Sequence, residues 1–499
     1  MMSPAGDCLD MSRYPFALLL PEESDRMDRA AAVILPPVLL MENAGWAVAR
    51  IIRNRFSPCR VTVACGPGNN GGDGYVVACH LARWGWPVRV AALSSPRPGT
   101  PAAKMANRWT GPVVPFTAEE IGCADLVVDA VFGSGLKRPV SDETASVLAA
   151  APQVVAIDMP SGVSGASGEI LGRARDCHFT VTFVRPRPGH FLQPGAGLCG
   201  EVICVDIGMP ERAWDGIAPT IQHNEPGLWS LPISGEGDYK YRRGVVSLCG
   251  GTEMPGATRL AAGAARRSGA GLVRVSAGEG APAYRLGDPG LIVEGAPLAE
   301  LLEDARRKVW ICGPGLTEGE VAATLPQLLK SGRMVLADAG ALTWGAGDLT
   351  RLKGVAAITP HIGEFRKLFG PVEGSRIDAA REAAKRLDAV IVMKGPDTLI
   401  AAPDGRVAIN THASSALATA GSGDTLTGVI AALLAAGMDV WEGCCAGVWL
   451  HGEAGIEAGK AHGGWPVAED LDLPLGPARA TATRLAQEAG RKKAVGSLL

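Results

Sequence analysis

Short runs rich in Val and Ile alternate along the chain with Ala-rich stretches of helical period. In the first half these runs fall at residues 61–64, 88–93, 126–131, 154–157 and 179–184. The alternation predicts β-α units around a parallel sheet. It resumes at residues 245–248, 309–312, 334–337, 356–359, 389–393 and 398–402, which predicts a second sheet. From about Met209 to Arg243, Pro210, Pro219, Pro226 and Pro232 interrupt both periodicities. The expected boundary lies near Gln222, giving an α/β chain of two doubly wound domains, 1–222 and 223–499. Glycine-rich turns repeatedly follow the predicted strands, where an open α/β sheet presents its ligand crevice.

Composition narrows the function classes. An apolar fraction of 47% with 20% charged residues is that of a globular protein, and a net charge of −3 gives no basic face to attract nucleic acid or an anionic membrane. Small molecules are the expected partners. The 12 cysteines form no C-x-x-C pair and no zinc-type spacing. They are expected to be reduced core residues, Cys444 and Cys445 included. The apolar run 16–20, followed by Glu22 and Glu23, is too short for a signal peptide or a membrane span, so a cytoplasmic protein is expected.

In the first half the string GPGNNGGDG, residues 66–74, lies between a predicted strand and a helical stretch. Its glycines let the backbone approach a ligand, and amides at a helix start favour an anion such as pyrophosphate. Asn69, Asn70 and Asp73 add polar groups. Two further strand ends carry acids, Asp129 in DAVFGSGL and Asp158 in DMPSG. Either acid alone could be a turn cap.

In the second half ATAGSGDTLTG, residues 418–428, precedes a long apolar helical stretch. The Gly421-Ser422-Gly423 turn would aim backbone N–H groups at a phosphoryl group, and Asp424 beside it could accept the proton of an attacking hydroxyl. An Asp that merely complements the helix dipole is the plainer alternative. His361 could cap a helix starting near Gly363, and His451 in WLHGEAG has the setting of a packed helix residue.

Taken together, LMENAG (40–45), GPGNNGGDG, DAVFGSGL, DMPSG, FVRPRPGH (183–190) and VDIGMP (205–210) closely resemble the NAD(P)H-hydrate epimerase family over nearly all of residues 10–210. The resemblance implies a Rossmann-like three-layer αβα sandwich. It also implies a hydrate site of Asn69, Asn70, Gly71, Gly72, Asp73, Gly133, Ser134, Gly135, Leu136, Lys137, Arg138, Pro139 and Asp158. A potassium ion is implied between Asn70, Asp129 and Ser161, a donor set of oxygens that suits a hard cation. Asp158 is the candidate acid/base at C6 of the hydrate.

The G-S-G-D string resembles that of the ribokinase-like superfamily. KYRRG (240–244), CGGTEMPGA (249–257), SGAGLVRV (268–275), GPGL (313–316), ADAGAL (337–342), TPHIGEF (359–365) and MKGPDT (393–398) are similar to the ADP/ATP-dependent NAD(P)H-hydrate dehydratases over about 225–475. That resemblance implies a ribokinase-like αβα domain. Its hydrate site would be lined by Ala257, Gly315, His361 and Asp424, and its ADP site by Lys394, Gly395, Pro396, Asp397, Thr398 and Gly423, with Mg2+ accompanying the nucleotide. Two positions depart from the pattern: NTHASSAL, residues 410–417, replaces the family's glycine- and proline-containing stretch before the anion hole, and the family's usual second Asp-Ala is here Asp338-Ala339 followed by Gly340.

The two resemblances imply one bifunctional enzyme, an isomerase and a lyase, that epimerises R and S hydrates and dehydrates the S form with ADP. A homo-oligomer is expected. The alternatives are a sugar or hydroxymethylpyrimidine type kinase, for which G-S-G-D alone would suffice, and a first half that serves only as a nucleotide-binding or scaffold module.

Overall fold

A computed structural model describes residues 14–233, 235–286 and 288–496; the outermost parts of both expected domains, 1–13 and 497–499, lie outside it. The described residues divide into two compact units, the first ending at Ile221 and including Val495 and Gly496, the second running from Gln222 to Ala494.

The first unit is built on seven strands: β1 (Val61–Cys65), β2 (Val88–Ala92), β3 (Val113–Val114), β4 (Leu126–Ala130), β5 (Val154–Ile157), β6 (Phe179–Phe183) and β7 (Glu201–Val205). Their order is β3-β2-β1-β4-β5-β6-β7, and every pairing is parallel. The registers Val61↔Val88 and Val61↔Leu126 place β1 between β2 and β4. All residues of β1, β4 and β5 are buried, as the central strands of a sheet covered on both faces must be, so they read as nearly continuous apolar runs in which Thr62 and Asp129 are the polar positions. The strand order reverses at β1/β4, which opens a crevice at their carboxyl ends.

The second unit carries ten strands: β8 (Ile221–His223), β9 (Val245–Cys249), β10 (Leu272–Ser276), β11 (Ile292–Glu294), β12 (Val309–Cys312), β13 (Met334–Ala337), β14 (Ala357–Ile358), β15 (Val390–Met393), β16 (Thr398–Ala401) and β17 (Val407–Asn410). The order is β11-β10-β9-β12-β13-β14-β15-β16-β17-β8. The ladder is parallel from β11 to β15, then β15-β16 and β16-β17 are antiparallel. The apolar helix Ser422–Ala435 packs tightly on the helix Pro255–Arg267: a Cβ on Gly428 would stand 2.1 Å from the Ala261 carbonyl oxygen. Only glycine permits that approach.

Every cysteine among the described residues is free, and Cys444 and Cys445 are buried. Among the described residues no single helix is long and apolar enough to cross a membrane.

Candidate active sites

In the first unit a cavity of about 670 Å³ opens at the strand ends. Asn69, Asn70, Asp73, Gly133, Ser134, Gly135, Leu136, Lys137, Arg138 and Asp158 all line it. Gly71, Gly72 and Pro139 are not among the lining residues. Both glycines meet a packing requirement: a Cβ on Gly71 would stand 1.9 Å from the Gly66 carbonyl oxygen, and one on Gly72 would stand 2.6 Å from Met41 Sδ.

Asp158 leaves β5 in the left-handed region, φ 64°. This turn aims its carboxylate back at the loop after β4, where the Ser134 N–H donates to Oδ2 at 2.7 Å. The Thr182 hydroxyl donates to Oδ1 at 3.3 Å, and Arg187 Nη2 lies 3.9 Å from Oδ1. Burial works against the charge, but Arg187 and the Ser134 amide outweigh it and hold this carboxyl below the usual range. Asp158 is therefore ionised near neutrality. Behind it, His190 accepts the Arg187 N–H on Nδ1 at 2.9 Å, which leaves Nε2 to donate to the Asp158 carbonyl at 2.7 Å. Burial pushes this imidazole down to about 4, so it stays neutral.

Asp129, at the end of β4, is buried against Ser161. The Ser161 hydroxyl donates to Oδ1 at 2.6 Å and the Ser161 N–H to Oδ2 at 2.8 Å. Burial raises the Asp129 carboxyl, with the Ser161 and Val131 donors opposing. Asn70 carries a buried side chain whose amide nitrogen and oxygen both lack a hydrogen-bond partner.

Ser24, Asp28 and Arg187 are cavity residues to which a motif reading gives no role. Ser24 and Asp28 come from the helix Pro21–Ile34, which holds no diagnostic string. Burial, with Asp158 and Asp25 nearby, pushes Asp28 up to about 6 against Arg187. Arg187 lies inside FVRPRPGH but has no role assigned by the sequence. Its guanidinium donates to Ser24 Oγ at 2.7 Å and to Ser134 Oγ at 3.3 Å.

In the second unit the helix Ser422–Ala435 starts at Gly421 with φ 87° and has no side-chain cap, which leaves its first amides open to an anion. Asp424 stands in that first turn. Burial, followed by Asp338, raises its carboxyl to about 6 against the pull of Lys394. Lys394 Nζ lies 3.2 Å from Asp338 Oδ1, and the Thr427 hydroxyl donates to Asp338 Oδ2 at 2.9 Å. The same ammonium would stand 3.1 Å from a Cβ on Gly423, so it flanks the anion hole. Asp338 belongs to ADAGAL but has no individual role that sequence alone supplies.

Gly315, φ 75°, folds against Met254 at the start of the helix that carries Ala257. His361 is the N-cap of the helix Ile362–Phe369: its Nδ1 accepts the Gly363 N–H at 2.9 Å and the Glu364 N–H at 3.3 Å. The ring is otherwise well exposed. Asp397 is buried in a two-bonded ion pair with Arg376, and Thr398 Oγ1 closes the turn on the Gly395 carbonyl at 2.9 Å. His451 is buried 3.2 Å from Ser422 Oγ. Within 410–417, His412 stacks on Trp449 at 4.3 Å and pairs with Glu453 at 2.8 Å. The departing stretch is thus absorbed by packing on the helix Val440–Ala461.

A family model described as NAD(P)H-hydrate dehydratase matches residues 245–471, and one described as YjeF-related protein N-terminus matches residues 38–189. The protein named bifunctional NAD(P)H-hydrate repair enzyme Nnr from Moorella thermoacetica is 34% identical, over 89% of this chain and 93% of that protein. Its namesake from Mycobacterium tuberculosis H37Rv is 36% identical, over 81% of this chain and 86% of that protein. A solved structure titled ADP/ATP-dependent NAD(P)H-hydrate dehydratase from Bacillus subtilis, co-crystallised with ATP and Mg2+, is 28% identical. It covers 51% of this chain and 95% of its own, with a TM-score of 0.44. Relatives that match both halves in one chain do not favour the small-alcohol kinase alternative. This chain belongs to the family of bifunctional NAD(P)H-hydrate repair enzymes.

Proposed function

We propose that the first unit interconverts R and S NAD(P)H hydrates and that the second dehydrates the S form with ADP, releasing AMP and phosphate. The observation that carries this reading is a matched pair of acids, one in each unit at a polar turn. Asp158 is held ionised by Arg187, and Asp424 is raised to about 6 beside an uncapped helix start.

In the first unit Asp158 serves as the proton acceptor at C6 of the hydrate. Asn69, Asn70, Asp73 and the loop Gly133 to Arg138 enclose the nucleotide. Asn70, Asp129 and Ser161 fit a potassium ion: an unpartnered amide oxygen and a buried carboxylate are groups that a hard cation satisfies. Bound there, potassium would supply positive charge to the hydrate site.

In the second unit Asp424 takes the proton of the C6 hydroxyl as its oxygen attacks the β-phosphoryl group of ADP. The helix amides and Lys394 stabilise charge on that group. AMP leaves. Phosphate then departs from C6 and a proton from C5, restoring the dihydropyridine. Phosphate is a far better leaving group than hydroxide, which accounts for spending a nucleotide on a dehydration. Ala257, Gly315 and His361 line the hydrate, while Lys394 to Thr398 and Gly423 face the nucleotide. Mg2+ would accompany the nucleotide and neutralise its phosphates. The reading takes the enzyme to be cytoplasmic and homo-oligomeric, with small molecules as its partners.

The test is incubation of the full chain with purified R hydrate, ADP and Mg2+. NADH and AMP should appear in equal amounts, faster than spontaneous epimerisation allows. A phosphorylated product that accumulates without NADH would overturn the reading.

A further inference from the structure

Asp73 is 9% exposed and lines the first unit's cavity. No hydrogen bond or ion pair to its carboxyl is found among the described residues, and its electrostatic neighbours are both acids, Asp158 and Asp28. A buried carboxyl in that setting is expensive as an anion. Burial, with Asp158 and Asp28 adding to it, pushes Asp73 well above the carboxylate range, whereas Asp158 is pulled the other way. One cavity thus holds a carboxylic acid and a carboxylate. Asp73 rises from the helix that follows β1 and Asp158 from the end of β5. The two elements approach the cavity from either side of β4, so a ligand seated there meets both groups.

Inversion at a hydroxyl-bearing carbon needs a proton delivered on one face and removed on the other. We infer that Asp73 is the proton donor of the epimerisation and works across the hydrate from Asp158. The inference rests on the epimerase reading of the first unit. Asp73 gives its proton to the C6 hydroxyl, the C6–O bond breaks, and water leaves as the N1 lone pair forms the N1=C6 iminium. A water molecule then adds to C6 from the opposite face. The π pair returns to N1, and the water's proton passes to the Asp158 carboxylate. The proton on Asp158 returns to Asp73 through solvent in the cavity, with Asp28 as the intervening carboxyl, so nothing is consumed. The reverse conversion exchanges the two roles.

The test compares wild type with Asp73→Asn and Asp73→Ala in R-to-S conversion at varied hydrate concentration. Asp73→Asn should lose roughly 10²–10⁴ in kcat, the usual contribution of a positioned proton carrier, with KM within about threefold of wild type. Its Tm should not fall, because no partner is broken. Formate should restore a measurable part of kcat to Asp73→Ala by supplying a carboxylic acid in the vacated space, which a structural role would not permit. Wild-type kcat in Asp73→Asn, a defect confined to KM, or no formate rescue in a folded Asp73→Ala would each overturn the assignment. If wild type itself fails to beat the spontaneous rate, the epimerase reading fails instead.

Discussion

Lys394 Nζ and Asp338 Oδ1 stand 3.2 Å apart beneath the turn that presents Asp424. The pair sets the charge environment of the proposed base. Asp338 raises the Asp424 carboxyl and Lys394 lowers it, with burial the largest cause and Glu364 a further raising one. Asp424 must be ionised to take a proton, so dehydratase kcat/KM should climb with pH through about 6 and then level. Asp338→Asn removes a negative neighbour and should move that limb to lower pH, and Lys394→Met should move it higher. Profiles of kcat/KM against pH for the three proteins, with S hydrate and ADP, check both signs.

The contact between Asp129 and Ser161 gives a different signature. Asp129→Asn removes one negative charge from the proposed potassium ligands and should depress epimerisation, with part of the loss recovered as potassium is raised. Asp158→Asn should be equally slow at every potassium concentration. A potassium series on R-to-S conversion, with excess dehydratase reporting S hydrate as NADH, separates the two.

Gly71 and Gly135 should respond oppositely to alanine. At Gly71 the added carbon would meet the Gly66 carbonyl oxygen at 1.9 Å, whereas at Gly135 nothing lies within 4 Å. Overpacking of this kind costs typically 1–3 kcal/mol. Gly71→Ala should lower the Tm of the first unit and its epimerase activity while sparing dehydration. Gly135→Ala should leave Tm unchanged. Thermal unfolding of both variants decides.

His361→Ala removes the cap of the helix Ile362–Phe369, a loss of about 0.5–2 kcal/mol, whereas His361→Asn can keep it. Both variants should raise KM for S hydrate if the imidazole also touches substrate. If only the Ala variant is impaired, and through stability, His361 is a cap and nothing more.

The central strands were the most legible part of the chain, because burial on both faces writes them as nearly continuous apolar runs such as Val390–Met393 and Val61–Cys65, where Thr62 is the one polar position. The strands without that signature were harder to see. β3 is two residues long and partly exposed, β7 is exposed at Glu201 and nowhere fully buried, and β11 is only half-buried. β17 follows a hairpin and reads as a continuation of β16. At the sites, residues inside glycine-rich strings could be read. Asp28 could not, because its helix reaches the cavity through tertiary packing that no local pattern encodes, and the pairing of Lys394 with Asp338 spans 56 positions. Gly71 and Gly72 are motif glycines that close packing by itself already requires.

Two sites in one chain, each with its own acid, are tested most directly by complementation. Asp158→Asn should retain dehydration of S hydrate and lose R-to-S conversion, and Asp424→Asn should do the opposite. Neither variant alone should then turn R hydrate into NADH with ADP beyond the spontaneous rate, and an equal mixture of the two should. A mixture no faster than either variant, or Asp424→Asn alone producing NADH at the wild-type rate, would contradict the account.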